Sequence, residues 1–174
     1  MAPVKGDGQE GKTAFDGDIE ELLDAAGIAV RPLGRATTRA QAQLWRQTFL
    51  ALVPRDERRR ASGTEWGFLS TRRMHAFERE EAYSAYRDQP DRVFFVLVEG
   101  FSSGYRCSGR PLPDLNNSAT DYYVFPKDMS WTMVFTHEQD WGAGPYFCTK
   151  EMAASSPPPR PRRKRLRKRR GSRR

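Results

Sequence analysis

The chain has 174 residues, 37% of them hydrophobic, which suits a single domain able to bury a core without disulfides or a structural metal. Its net charge of +8 is misleading: from Pro157 onward eleven Lys or Arg stand with no acid, so residues 1–156 carry 19 basic and 22 acidic side chains, a net of −3. Two cysteines without CxxC spacing do not make a disulfide framework, the polar, acidic first thirty residues lack the pattern of a secretory leader, and no apolar run approaches a membrane span, so a soluble cytoplasmic protein is expected.

Residues 1–15 hold too little apolar surface to offset the entropy of ordering and are expected to be disordered. A helix follows at Asp18 to Ala26, capped by Asp16 or Asp18. Its stripe is Ile19, Leu22, Leu23 and Ala26, and Gly27 stops it. Ile28 to Arg31 is a short strand ended by Pro32. The next helix starts at Thr37 or Thr38, where Thr38 and Gln41 have capping-box spacing, and its inner face is Leu44, Trp45, Thr48, Phe49 and Leu52. Pro54 ends it and suits the first turn of a charged helix through Glu57 to Arg60. Arg58, Arg59 and Arg60 can form an anion site, although a solvated face is the commoner role of such a cluster.

Gly63 to Leu69 is read as a strand carrying Trp66 and Phe68, and Met74 to Arg87 as a helix. RVFFVLV, Arg92 to Val98, is a continuous apolar run as found in a strand covered on both faces, and is placed centrally in the sheet. Gly100 to Asn117 is a long connection with a short strand around Tyr105 to Cys107. Tyr122 to Phe125 and Trp131 to Thr136 form an antiparallel hairpin. Trp131, Met133 and Phe135 share one face, Thr132, Val134 and Thr136 the other. Pro145 to Cys148 is the last strand. These elements predict one α+β domain over residues 16–152: a mostly antiparallel sheet with three to four helices packed on it. Residues 153–174 are a Pro/Arg-rich basic tail, expected to be disordered.

Several of these segments, in order and at this spacing, resemble an uncharacterised bacterial family, domain of unknown function 4275. They are Trp45 with Phe49, Trp66 to Ser70 (WGFLS), Glu80 with Ala82, RVFFVLV, Asp121 to Val124, Trp131-Thr132, Thr136-His137-Glu138 and Gly144-Pro145-Tyr146-Phe147. The resemblance covers nearly the whole body and implies a compact bacterial α+β domain. It brings no reaction, cofactor or catalytic residue. The family pattern has a histidine after the tryptophan of WGFLS; this chain has Gly67. If that histidine served with His137, half of the pair is lost.

His137 and Glu138 sit where a strand runs into a loop, a usual place for functional groups on a rigid scaffold. They are the catalytic candidates, as a general base or one metal ligand assisted by Glu138, Asp140 or Asp128. The blander alternative is a histidine that caps the turn. Trp141, Asp140 and Trp66 are candidates for contact with a ligand or partner; Trp66 has the stronger claim to core, and Trp141, in a loop, to exposure. Cys107, His137 and Cys148 come from separate strands without a tight-spaced pair, so no zinc site is assigned, and no cofactor is expected. No GxSxG, P-loop or GxGxxG occurs. In the tail, Arg160, Arg162, Arg163, Lys164, Arg165, Arg167, Lys168, Arg169 and Arg170 are candidates for non-specific contact with nucleic-acid phosphates. The leading expectation is a non-catalytic module that binds an unidentified protein or small ligand. The alternatives are a small hydrolase-like enzyme using His137 and Glu138, and a nucleic-acid accessory protein acting through the tail.

Overall fold

The computed structural model describes residues 14–60, 65–116 and 120–155, the side chains of 14–18 excepted. Its frame is one seven-stranded sheet in which every neighbouring pair is antiparallel. The strands are β1 (Ala29–Pro32), β2 (Phe77–Glu78), β3 (Val93–Val98), β4 (Gly104–Ser108), β5 (Tyr122–Pro126), β6 (Trp131–Phe135) and β7 (Tyr146–Thr149), and their order is β1-β4-β3-β5-β6-β7-β2. Six α-helical segments accompany them among the described residues: α1 (Ala14–Ala25), α2 (Arg35–Phe49), α3 (Arg55–Arg60), α4 (Gly67–Ser70), α5 (Arg79–Arg87) and α6 (Lys150–Ala154).

The period of two along each strand sends alternate side chains to opposite faces, and both faces are buried. Phe95, Leu97, Tyr123, Phe125 and Val134 pack with Trp45 and Phe49 of α2 and with Phe68 and Leu69 of α4. Phe94, Val96, Val124, Met133 and Phe135 pack with Ile19 and Leu23 of α1 and with Ala82 and Tyr86 of α5. The result is three layers, helices on each side of the sheet, which is why RVFFVLV is apolar without alternation. Polar handles inside the layers are matched: the Trp45 Nε1 donates to Thr132 Oγ1 at 2.9 Å, and that hydroxyl donates to the Val124 carbonyl at 3.2 Å. Trp45 is fully buried, so its truncation to alanine removes roughly 3–5 kcal/mol.

The expected hairpin forms, with Tyr122 opposite Phe135 and Val124 opposite Met133, and the face assignment of Trp131 to Thr136 holds. The strand expected around Tyr105 to Cys107 is β4, and RVFFVLV is an interior strand between β4 and β5. Other expectations are corrected. Gly67 to Ser70 is a helical turn, with Phe68 N–H bonded to the Glu65 carbonyl and Leu69 N–H to the Trp66 carbonyl, and residues 61–64 lie outside the described part. Helix does not begin at Met74: Phe77-Glu78 first pairs with β7 as an edge strand, and the positive φ of Arg79 (56°) separates that pairing from α5. α2 starts at Arg35 with Gly34 as its cap residue, and Thr38 uses its hydroxyl on the Gly34 carbonyl instead of capping. Leu44 and Leu52 are exposed, because the stripe through Thr38, Ala42, Trp45 and Phe49 is the buried one. α1 begins at Ala14, two residues inside the segment expected to be disordered, and α6 runs to Ala154 with Ala153 buried, so the first residues of the expected tail are helical; the rest of both segments lies outside the described residues. No helix among the described residues is long and apolar enough to cross a membrane.

Candidate functional site

The antiparallel registers bring three strand ends to one corner. Val98 closes β3 opposite Tyr122, which opens β5, and Tyr122 lies opposite Phe135, which closes β6. The residues just outside these ends are therefore Glu99, Asp121 and Thr136-His137. Glu99 N–H donates to the Asp121 carbonyl at 2.9 Å, tying the first two ends together. The His137 backbone N–H donates to Asp121 Oδ1 at 3.0 Å, and the His137 Nδ1 lies 2.8 Å from the same oxygen. One ligand atom from each of Glu99, Asp121 and His137 falls within 4.8 Å of the others. Thr120 donates its hydroxyl to Glu99 Oε2 at 3.0 Å and so orients the second carboxylate.

The loop after His137 is held by the motif that follows it. Thr136 donates its hydroxyl to the Ala143 carbonyl, and Ala143 and Trp141 N–H groups return to the Glu138 carbonyl. Gly144 has φ 94°, and a Cβ there would stand 3.2 Å from Thr136 Oγ1, which explains why glycine is needed at this turn.

Charge at the corner is unbalanced. Asp121 is fully buried, and its Oδ2 has no hydrogen-bond partner. Burial pushes its carboxyl above the ordinary range; the two hydrogen bonds from His137 pull it back only in part, and Glu99 adds to the rise. Burial works to lower His137, but the bond to Asp121 and the negative charges of Asp121, Glu99 and Glu138 outweigh it, and the net shift is upward. Asp121 and His137 both rising is not the signature of a balanced ion pair, in which the acid would fall. Two carboxylates share one half-exposed imidazole, and the buried one is short of positive charge.

Of the sequence candidates, His137 and Glu138 do stand together, with Nε2 and Oε1 4.0 Å apart. Trp141 is 84% exposed beside them on the loop, next to the exposed Asp140. Trp66 is buried against the α2 face of the sheet, where its backbone N–H donates to the Tyr123 hydroxyl at 3.3 Å. Asp128 serves the other end of the hairpin, accepting from Ser130 N–H and Oγ at 3.1 and 2.9 Å. Cys107 and Cys148 are buried on strands separated by three others, and burial pushes both thiols up to about 12, so the paper zinc set is not assembled. Gly67 opens α4 with no atom within 4 Å of where a Cβ would stand. The basic tail candidates lie outside the described residues.

Asp121 and Glu99 are the members of this corner that sequence reasoning missed. Asp121 was visible in principle, since an antiparallel hairpin pairing Tyr122 with Phe135 must put Asp121 opposite Thr136. Glu99 had no local signal and depends on β3 lying beside β5. No curated protein and no solved structure matches the chain. A family model described as a domain of unknown function, DUF4275, matches residues 41–147, which includes all three corner residues, α2 from its second turn and the first two residues of β7. By that match over more than half of its length, the chain belongs to the DUF4275 family.

Proposed function

We propose that this domain is a non-catalytic binding module whose site is the Glu99–Asp121–His137 corner, and that its occupant is a divalent cation. The observation that carries this is the buried Asp121 with an unpartnered Oδ2, set within reach of a second carboxylate and an imidazole. Two carboxylate oxygens and one ring nitrogen suit Zn²⁺ or Mn²⁺, and three protein ligands leave further positions for solvent or a bound molecule. A cation would offset the excess of carboxylate over imidazole, and Glu138 and the exposed Trp141 form the rim that a partner or ligand would meet. The test is titration calorimetry of the full, chelator-stripped chain with Zn²⁺ and Mn²⁺. One ion per chain is expected, with affinity lowered about tenfold or more in Asp121→Asn and Glu99→Gln. No uptake, or uptake unchanged in both variants, would remove the proposal.

One observation favours a second role at the same corner: Asp121 at Nδ1 fixes the imidazole and leaves Nε2 as its free nitrogen, the arrangement of a general base. Its mark would be activity that needs His137 and Asp121 but survives metal removal. The tail of eleven basic residues supports a separate, accessory attraction to nucleic-acid phosphates. A chain ending at Ala154 would then lose salt-sensitive binding to duplex DNA, whose slope on a log-log salt plot is about −5 if half the charges take part.

A further inference from the structure

A second charged site lies on the α2 side of the molecule. Gln43, Arg46 and Gln47 occupy successive turns of one α2 stripe; Arg55, Arg58 and Arg59 repeat the same i, i+3, i+4 spacing on α3. The six side chains face one another across an open cleft of about 470 Å³, a size usual for small-molecule sites. Among the described residues, every side chain that lines it carries a hydrogen-bond donor, four of them guanidinium, and no carboxylate is in the lining.

The acids nearby are already engaged. Glu65, itself buried, accepts Arg46 Nε and a terminal guanidinium nitrogen at 2.9 and 2.5 Å, and Arg46 lies 4.4 Å over the Phe101 ring. Glu57 pairs with Arg73 at 2.5 Å and Asp56 with Arg60 at 3.6 Å. No described acid pairs with Arg55, Arg58 or Arg59, and the Arg58 Nε is buried without a hydrogen-bond partner. Exposed arginines on one face need no explanation. An orphaned, buried guanidinium N–H between two other arginines does, because an unmet buried donor costs about 1–3 kcal/mol. α3 adds to the puzzle: it has six residues and no buried side chain, too short to hold itself together against like-charge repulsion along one stripe.

We infer that this cleft binds a multivalent phosphate anion, with Arg55, Arg58 and Arg59 as its charged donors, Arg46 as a pre-oriented fourth and the two glutamines completing the donor set. Planar forks reading tetrahedral oxyanions bidentately is the chemistry for which arginine is better suited than lysine. The anion can be a free polyphosphate or the backbone of a nucleic acid, and the site is independent of the cation corner.

The test uses the full-length chain, tail included, and tripolyphosphate as probe, followed by calorimetry at near-physiological salt. One tripolyphosphate per chain is expected, with orthophosphate at least about tenfold weaker. Arg58→Gln and Arg55→Gln should each weaken it about tenfold or more, and Arg58→Lys should recover only part of the loss. Circular dichroism of each variant controls for folding. A short single-stranded DNA that competes with tripolyphosphate in the wild type, and not in Arg58→Gln, would assign the backbone as the source; failure to compete would assign a free polyphosphate. Absence of tripolyphosphate binding, or equal binding by the wild type and both glutamine variants, as contact with the tail alone would give, overturns the inference.

Discussion

The Glu99–Asp121–His137 corner and the arginine cleft are charged in opposite senses and built in opposite ways. The corner is made at strand ends, where three registers fix Glu99, Asp121 and His137, and its central carboxylate is fully buried. The cleft is made by two helix faces whose side chains are mostly exposed, with only Arg46 anchored by a buried partner. Groups of the first kind are part of what holds the sheet end together, so their loss is felt by the fold. Apart from Arg46, whose loss would strand the buried Glu65, groups of the second kind can be removed almost freely, so binding can be tested there without disturbing structure.

Asp121→Ala should break this symmetry most strongly. It leaves the His137 backbone N–H and ring without their acceptor, and two charge-assisted hydrogen bonds lost at a buried position cost about 2–4 kcal/mol, to be read from urea unfolding of the metal-free chain. The loss is partly offset, since the uncompensated burial of the carboxylate disappears with it; a variant as stable as the wild type would mean that Asp121 contributes nothing as a cap.

A smaller effect comes from pH. His137 is raised from its ordinary 6.5, so the stabilisation it gives is complete below that value and is lost as pH rises through the folded pKa. Asp121 is raised from 3.8, which has the same sign: folding favours its protonated form, and stability falls as it ionises. Unfolding of the metal-free protein followed from about pH 6 to about pH 9 should therefore show declining stability that is flatter in His137→Gln. The His137 pKa read by NMR should fall in Asp121→Asn. An unchanged value would mean that the ring and Asp121 do not meet in solution.

The smallest effect is expected in the cleft. Arg58→Gln should leave stability unchanged or raise it by up to about 1 kcal/mol, because it removes like-charge repulsion along the stripe together with an unmet buried donor. A loss comparable to that of Asp121→Ala would show that the arginines hold α3 in place rather than wait for an anion.

The same contrast explains what could be read in the sequence. The hairpin of β5 and β6 was legible from its alternation and the covered strand β3 from its continuous apolar run, but of the inner face expected for α2 only Trp45 and Phe49 are buried, while Leu44 and Leu52 are exposed. The His137 end of β6 was legible as a strand running into a glycine-bearing loop. Its partners were not, because Asp121 and Glu99 meet it only through pairing between segments far apart in the chain. Gly63 to Leu69 looks like a strand because a short run carrying Trp66 and Phe68 does not distinguish the helical turn at Gly67–Ser70 from a pleat. Phe77-Glu78 gave no signal at all: a two-residue edge strand is defined by β7 beside it, not by its own composition. Arg58 and Arg59 were visible as a cluster, but the facing stripe of α2 that turns a charged face into a cleft was not, and Arg60, grouped with them by sequence, points its charge to Asp56 instead.

The most direct test lies in the fact that the chain has two histidines, one in the corner and one, His75, outside the three-residue group. Substoichiometric Mn²⁺ added to the full-length protein should broaden the ring resonances of His137 in the NMR spectrum and spare those of His75, and Glu99→Gln should abolish the difference. Equal broadening of both rings, or none of either, would contradict a cation site at the Glu99–Asp121–His137 corner.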